Sequence, residues 1–363
     1  MTQPTQVPSE VLEKIIVGFH GFQLPDELRN LLARGLGGVV LFPRNFSGPA
    51  ELASLTAEIK RAADRPVLVG IDQEGGTRFS LPEPFTQWVS PEDLGKLDDA
   101  ELVETQATAL ARELLSVGCN LDFAPMLDLH VQPDSPVTQG RSFGSDPQKV
   151  SRLGAAFARG IAKEGVLSCA KHFPGHGDAT VDPHLDSAVF RGDLERLRAA
   201  ELIPFMALLS IKVPMIMTAH IFLPQIDAKF PASLSRKLLS GILRAAKFDG
   251  VILADDLAMG AIARTWTPAE SAVVTFQAGS DMALLCHDWN LVGPTLERLW
   301  SARDRGQFDN DEWQASHKRI EQLRQKLRSI DRPTPALEVV GCREHQAIVE
   351  TIRSRLNGKL RQS

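Results

Sequence analysis

Cysteine is scarce in this chain, with four in 363 residues, at Cys119, Cys169, Cys286 and Cys342. They stand too far apart for a paired metal motif, and three lie inside apolar runs, so they read as reduced core thiols. No apolar run approaches membrane-spanning length, which argues against a transmembrane helix. The opening MTQPTQVPSEVLEKIIVGF has no basic stretch followed by a long apolar one, and a cytoplasmic location is the expectation. Nor do Lys and Arg cluster among aromatics. With 40 basic against 45 acidic side chains and a net charge of −5, a surface that tracks nucleic-acid phosphates is not expected. Low-complexity segments are missing too, and small-molecule chemistry is what these absences leave.

What is present is an ordinary soluble composition, 43% hydrophobic and 23% charged. It is arranged as about eight short apolar runs: IIVGFHG (15–21), GGVVLF (37–42), PVLVGID (66–72), NLDFAP (120–125), LSCAKHF (167–173), PMIMTAH (214–220), GVILADD (250–256) and DMALLC (281–286). Runs of this length, rich in Val, Ile and Leu, suit strands buried on both faces, the mark of a parallel sheet. Between them lie stretches of helical period, including 90–118, 146–165 and 194–210. The alternation predicts a (β/α)₈ TIM barrel, with an open doubly wound sheet as the alternative.

One catalytic domain is expected over 1–330, followed by a linker around DRPTPALEVVG and a C-terminal helix, together 331–363, packing on the barrel. Polar residues close the runs: His20, Arg44 and Asn45, Asp72, Asp128, Lys171 and His172, His220, Asp255, then His287 and Asp288. In a barrel these ends gather at the C-terminal mouth, where barrel enzymes carry their chemistry.

The densest cluster is KHFPGHGDATVDPH at 171–184. Its imidazoles and acids are of metal-ligand type, but the H-x-H and H-E-x-x-H spacings are missing. A phosphate cradle on PGHG would face the acids that follow it. Asp182-Pro183-His184 offers an acid/base pair, in which a carboxylate fixes the imidazole tautomer and leaves the second nitrogen to exchange a proton. On the tripeptide alone, a local turn contact is the better reading.

The ordered set GGVVLFPRN, VGIDQEGG, DFAPMLDL, GRSFG, KHFPGHGD, MTAHIFLPQID, PASLS and FDGVILADDLAMGAI resembles the glycoside hydrolase family 3 β-N-acetylglucosaminidases of the NagZ type, which act in bacterial cell-wall recycling. The resemblance runs from about residue 14 to about 290. It implies a single (β/α)₈ barrel and retaining hydrolysis of a terminal β-linked N-acetylglucosamine through a covalent glycosyl-enzyme. It assigns the nucleophile to Asp255, the acid/base to His184 and its orientation to Asp182, and sugar binding to Asp72, Arg141, Lys171 and His172. Asp256 takes a supporting or capping role, and His176 a structural one.

A histidine in place of the second carboxylate of most glycosidases is chemically sound, because imidazole can donate as a cation and then accept as a neutral base near pH 7. The implied partner is a small carbohydrate or muropeptide. No metal, cofactor or second subunit is called for, and a monomer is expected. The chain departs from the family's pattern where Thr77 and Ser80 stand at positions usually held by two arginines, with Arg78 beside them. It departs again at Pro183, in the middle of the dyad. Other readings are a family 3 enzyme for a different sugar, one that transfers to phosphate, a metal-dependent barrel hydrolase, and a sugar-binding relic without turnover.

Overall fold

The computed structural model of the chain describes residues 7–78, 80–176, 188–328 and 334–361. Eight strands close into a barrel: Ile15–Val17, Gly38–Val40, Leu68–Ile71, Leu121–Asp122, Leu167–Phe173, Met215–Thr218, Val251–Ala254 and Met282–Leu285. Every neighbouring pair is parallel, and closure comes from Ile16, which lies beside Leu284 on one side and Gly38 on the other. Each strand falls inside one of the apolar runs, and the closed barrel displaces the open-sheet alternative.

Alternation along the strands sorts side chains into two cores. Ile16, Val40, Leu68, Leu121, Met215, Leu253 and Leu284 fill the barrel interior. Their neighbours Ile15, Val17, Val39, Val69, Ile216 and Ile252 face the surrounding helices. Gly70 leaves room inside the barrel, since a Cβ there would meet the Phe123 ring at 2.7 Å. Phe123 takes that volume.

The helices follow the expected stretches, with breaks. The 90–118 stretch divides into Pro91–Leu97 and Ala100–Ser116, because Asp98 adopts a left-handed φ of 59° and Asp99 caps the second helix, accepting from the backbone N–H of Glu101 and Leu102. The 194–210 stretch divides into Leu194–Ala199 and Leu202–Ser210. Pro204 explains this break: in a continuous helix its ring would clash with the carbonyl of Ala200, which instead leaves helical geometry. Pro147–Glu164 runs unbroken, from an Asp146 cap to Gly165 at φ 88°.

Two helices beyond the last strand do different work. Arg343–Leu360 lies against Pro91–Leu97 and Ala100–Ser116 and buries Val349, Ile352 and Leu356 on the outside of the barrel. Asn310–Arg328 inserts Ile320 and Leu323 into the interior core, closing the barrel's amino-terminal end. The charged character of this segment hides a plug. Cys119, Cys169 and Cys286 are buried free thiols, as the apolar runs imply, whereas Cys342 is half-buried outside the core. No described helix is long and apolar enough to cross a membrane.

Candidate active site

At the carboxyl ends of the strands lies a cavity of about 360 Å³. Val40, Phe123, Met217 and Leu284 give it an apolar floor, and Asp72, Arg141, Lys171, His172, Asp255 and His287 are among its polar walls. Of the residues that close the apolar runs, Asp72, Lys171, His172, Asp255 and His287 reach this cavity. The others support it. Arg44 and Asn45 donate to the Phe19 carbonyl, and Arg44 also to that of Cys286, tying together the loops after the first, second and last strands. His20 bonds the His287 carbonyl at 2.9 Å. His220 is buried between the Ser233 hydroxyl and the Asp256 carbonyl. Asp288 caps the short turn that follows it, accepting from the Asn290 N–H.

Three of the four sugar-binding candidates, Asp72, Arg141 and Lys171, meet in one charged array whose centre is Glu74, a residue quoted in DQEGG but missed as a site residue. Arg141 grips the Glu74 carboxylate through Nε at 2.8 Å and Nη2 at 2.7 Å. Lys171 Nζ lies 2.7 Å from Glu74 and donates to Asp72 Oδ1 at 2.5 Å. Burial alone would raise the Glu74 carboxyl, but Arg141 and Lys171 outweigh it and hold it at about 2. Burial likewise works against the Lys171 ammonium, and Asp72 with Glu74 reverses the sign and raises it. Arg141, Lys171 and Glu74 therefore keep their charges, and together with the Asp72 side chain they present fixed donors and acceptors to hydroxyl groups. The signal for Glu74 was a second acid two residues past Asp72, just before glycines at φ 91° and 79° that turn the chain. A Cβ on Gly75 would come within 2.7 Å of the Val89 carbonyl oxygen, so the turn requires glycine.

His172 follows Lys171 across a cis peptide. Its Nδ1 bonds Asp128 Oδ2 at 2.7 Å, and the His176 backbone N–H donates to Oδ1 of the same carboxylate at 2.8 Å. Burial lowers the His172 pKa, and Asp128 opposes this only in part. A neutral ring that donates Nδ1–H to Asp128 has Nε2 as its acceptor. Asp128 thus positions His172. His176 also lines the cavity, buried, its ring edge-on to that of His172 and its Nδ1 3.3 Å from Asp128 Oδ1, though without hydrogen-bond geometry at either ring nitrogen. Asp128, His172 and His176 form the one group among the described residues whose side-chain ligand atoms all lie close enough, within 4.8 Å, to share a cation.

Asp255 follows the seventh strand, half-buried, with Oδ1 accepting from the Asp256 N–H at 2.8 Å. Asp256 also reaches the cavity wall, but its Oδ1 accepts from the Ala258 and Cys286 N–H groups, which fits the capping role, and burial raises its pKa. Arg78 lines the cavity and donates to the Pro136 carbonyl at 2.5 Å. The segment there is a loop and not a strand, so alternation does not turn Arg78 away, while Thr77 lies on a neighbouring groove. Asp182 and His184 lie outside the described residues.

A closed parallel barrel with its acids and cations gathered at the carboxyl ends of the strands belongs to the class of barrel enzymes that work in a mouth cavity. The family follows from comparison with known proteins. The profile described as "Glycosyl hydrolase family 3 N terminal domain" matches residues 11–323. The chain belongs to this family and is a glycoside hydrolase. It is 36% identical to a β-hexosaminidase of Thiobacillus denitrificans over 308 residues, covering 82% of this chain and 85% of that protein. A β-hexosaminidase of Neisseria meningitidis is 39% identical over 280 residues, covering 75% and 77%. The solved structure of a family 3 β-N-acetylglucosaminidase from a Paenibacillus species matches with a TM-score of 0.90 at 34% identity, covering 96% of this chain and 68% of that one.

Proposed function

We propose that the protein is an exo-acting, retaining β-N-acetylglucosaminidase that releases terminal β-linked N-acetylglucosamine, with peptidoglycan muropeptides as its substrate class. The observation that carries this reading is Asp255, on the wall of the same cavity as Asp72, Lys171, Arg141 and His172, in a chain similar to proteins described as β-hexosaminidases. Asp72, Lys171 and His172 orient the sugar, Arg141 acts with them through Glu74, and the apolar floor excludes water beneath the ring.

The Asp255 carboxylate attacks C1 while the His184 imidazolium gives its proton to the departing oxygen, so the glycosidic bond breaks as the ester to Asp255 forms. Neutral His184 then takes a proton from water, whose oxygen attacks C1 and releases the carboxylate. Asp182 holds the imidazole tautomer through both steps. Asp255→Asn and His184→Ala should each abolish 4-nitrophenol release from 4-nitrophenyl N-acetyl-β-glucosaminide, and retained turnover in either variant overturns the assignment. A 5-fluoro glycosyl inhibitor should leave its sugar on the peptide containing Asp255, located by mass. Product NMR with and without phosphate separates hydrolysis from transfer to phosphate.

A further inference from the structure

At the opposite end of the barrel, beneath the amino-terminal ends of the strands, lies a second cavity of about 590 Å³. Phe276, Phe308 and Trp313 supply apolar walls, and Lys14, Arg244 and Arg319 line it as cations. Most of the charge here is already answered. Asp281 accepts from Arg244 and, at 2.9 Å, from Arg319 Nε. Glu312 accepts from Arg236 at the rim, at 3.0 and 2.7 Å. Glu13 is engaged by Arg324 at 2.8 Å and His317 at 2.5 Å.

Lys14 is the exception. It is 1% exposed, and its ammonium makes one hydrogen bond, to the Ser316 hydroxyl at 2.7 Å, while lying 4.2 Å from the centre of the Trp313 ring. Among the described residues no carboxylate comes within 4.0 Å of it. Arg244 Nε, on the same cavity, is buried without a hydrogen bond. A buried ammonium with no carboxylate in contact is costly, and a cation–π contact and the more distant Asp281 and Glu13 recover only part of that cost.

We propose that this cavity binds a small organic anion, a carboxylate or phosphate carried on a flat apolar body, with Lys14 as its principal charge partner and the aromatic walls taking the body. Burial lowers the Lys14 pKa from 10.5 to about 8, against the pull of Asp281 and Glu13, and a bound anion reverses that shift. The site opens from the end of the barrel remote from the catalytic mouth. Its occupant does not compete with substrate and acts instead on the closure made by Asn310–Arg328.

Phenyl phosphate is a suitable probe, with inorganic phosphate as the head group alone. Calorimetry should show saturable binding of phenyl phosphate to the full chain, weaker binding of phosphate, and an affinity for phenyl phosphate reduced about tenfold or more in Lys14→Met. Turnover at the catalytic mouth should be unchanged in that variant. On the unaltered chain, phenyl phosphate should slow labelling of Lys14 by trinitrobenzenesulfonate, located by peptide mass, a readout that stands even where Lys14→Met does not fold. Equal affinity in both proteins, no saturable binding up to about 10 mM, or labelling of Lys14 indifferent to the probe would each overturn the proposal.

Discussion

Two buried carboxyls near the cavity are pushed in opposite directions, and their substitutions should differ in sign. Glu74 faces Arg141 and Lys171 and is held at about 2. Asp122 accepts one backbone N–H, from Gln73, at 3.0 Å, while its other oxygen has no hydrogen-bond partner, and burial raises its pKa well above the ordinary value. For Glu74 the folded pKa lies below the unfolded one, so its stabilisation is present above about pH 4.3 and is lost as pH falls toward 2. Glu74→Gln should therefore lower stability at neutral pH by about 3–5 kcal/mol and flatten the acid limb of the stability curve by about one proton. It should also raise KM by loosening both cations. For Asp122 the folded pKa lies above the unfolded one, so the group costs nothing below about pH 3.9 and is increasingly unfavourable above it. Asp122→Asn should raise stability at neutral pH and change nothing near pH 3. Urea unfolding across pH 2.5–7.5 tests both, and parallel pH profiles for the two variants would refute the distinction.

At the scale of elements, the plug formed by Asn310–Arg328 differs most from what its composition suggests. Ile320 is 1% exposed among side chains of the barrel interior, so Ile320→Ala leaves a cavity there and should cost about 2–5 kcal/mol, measured by chemical denaturation. A cost below about 0.5 kcal/mol would mean the helix lies on the surface. The eight strands were legible because parallel strands buried on both faces appear as unbroken apolar runs. The plug was not, since Trp313, Ile320, Leu323 and Leu327 in a helix as charged as NDEWQASHKRIEQLRQKLR are equally the pattern of a helix lying on the outside, and which of them enters the interior depends on where the open barrel end lies. The break at Ala200 was written in Pro204, but helical period on both sides masked it. In the site, Asp72, Lys171, His172 and Asp255 could be read from strand ends, where polarity returns. Glu74 and Asp128 could not be given their parts, because holding Arg141 and orienting His172 are contacts made across strands far apart in sequence.

At the scale of the whole molecule, the catalytic mouth and the terminal helix Arg343–Leu360 are separable in energy. The helix is fastened through Glu113, buried on Ala100–Ser116, whose carboxylate accepts from the Thr86 hydroxyl at 2.6 Å, the Gly341 N–H at 2.9 Å and His345 Nδ1 at 2.8 Å. Arg355 adds an ion pair to Asp99, the cap of that same barrel helix. Removing residues 334–363 would strip Glu113 of two of these partners and uncover the surface now covered by Val349, Ile352 and Leu356. Each lost apolar side chain is worth about 1.5–3 kcal/mol, and a buried carboxylate short of partners adds about 1–3 kcal/mol. The truncated chain should therefore unfold several degrees lower. Among the described residues, none that lines the cavity at the carboxyl ends of the strands lies beyond His287, so kcat measured well below the new transition should match that of the full chain. Glu113→Gln should lower the transition less than truncation, because it keeps the apolar contacts. A truncated protein with unchanged stability, or one that is fully folded with kcat lost, would show that the terminal helix is not the separable clamp its contacts describe.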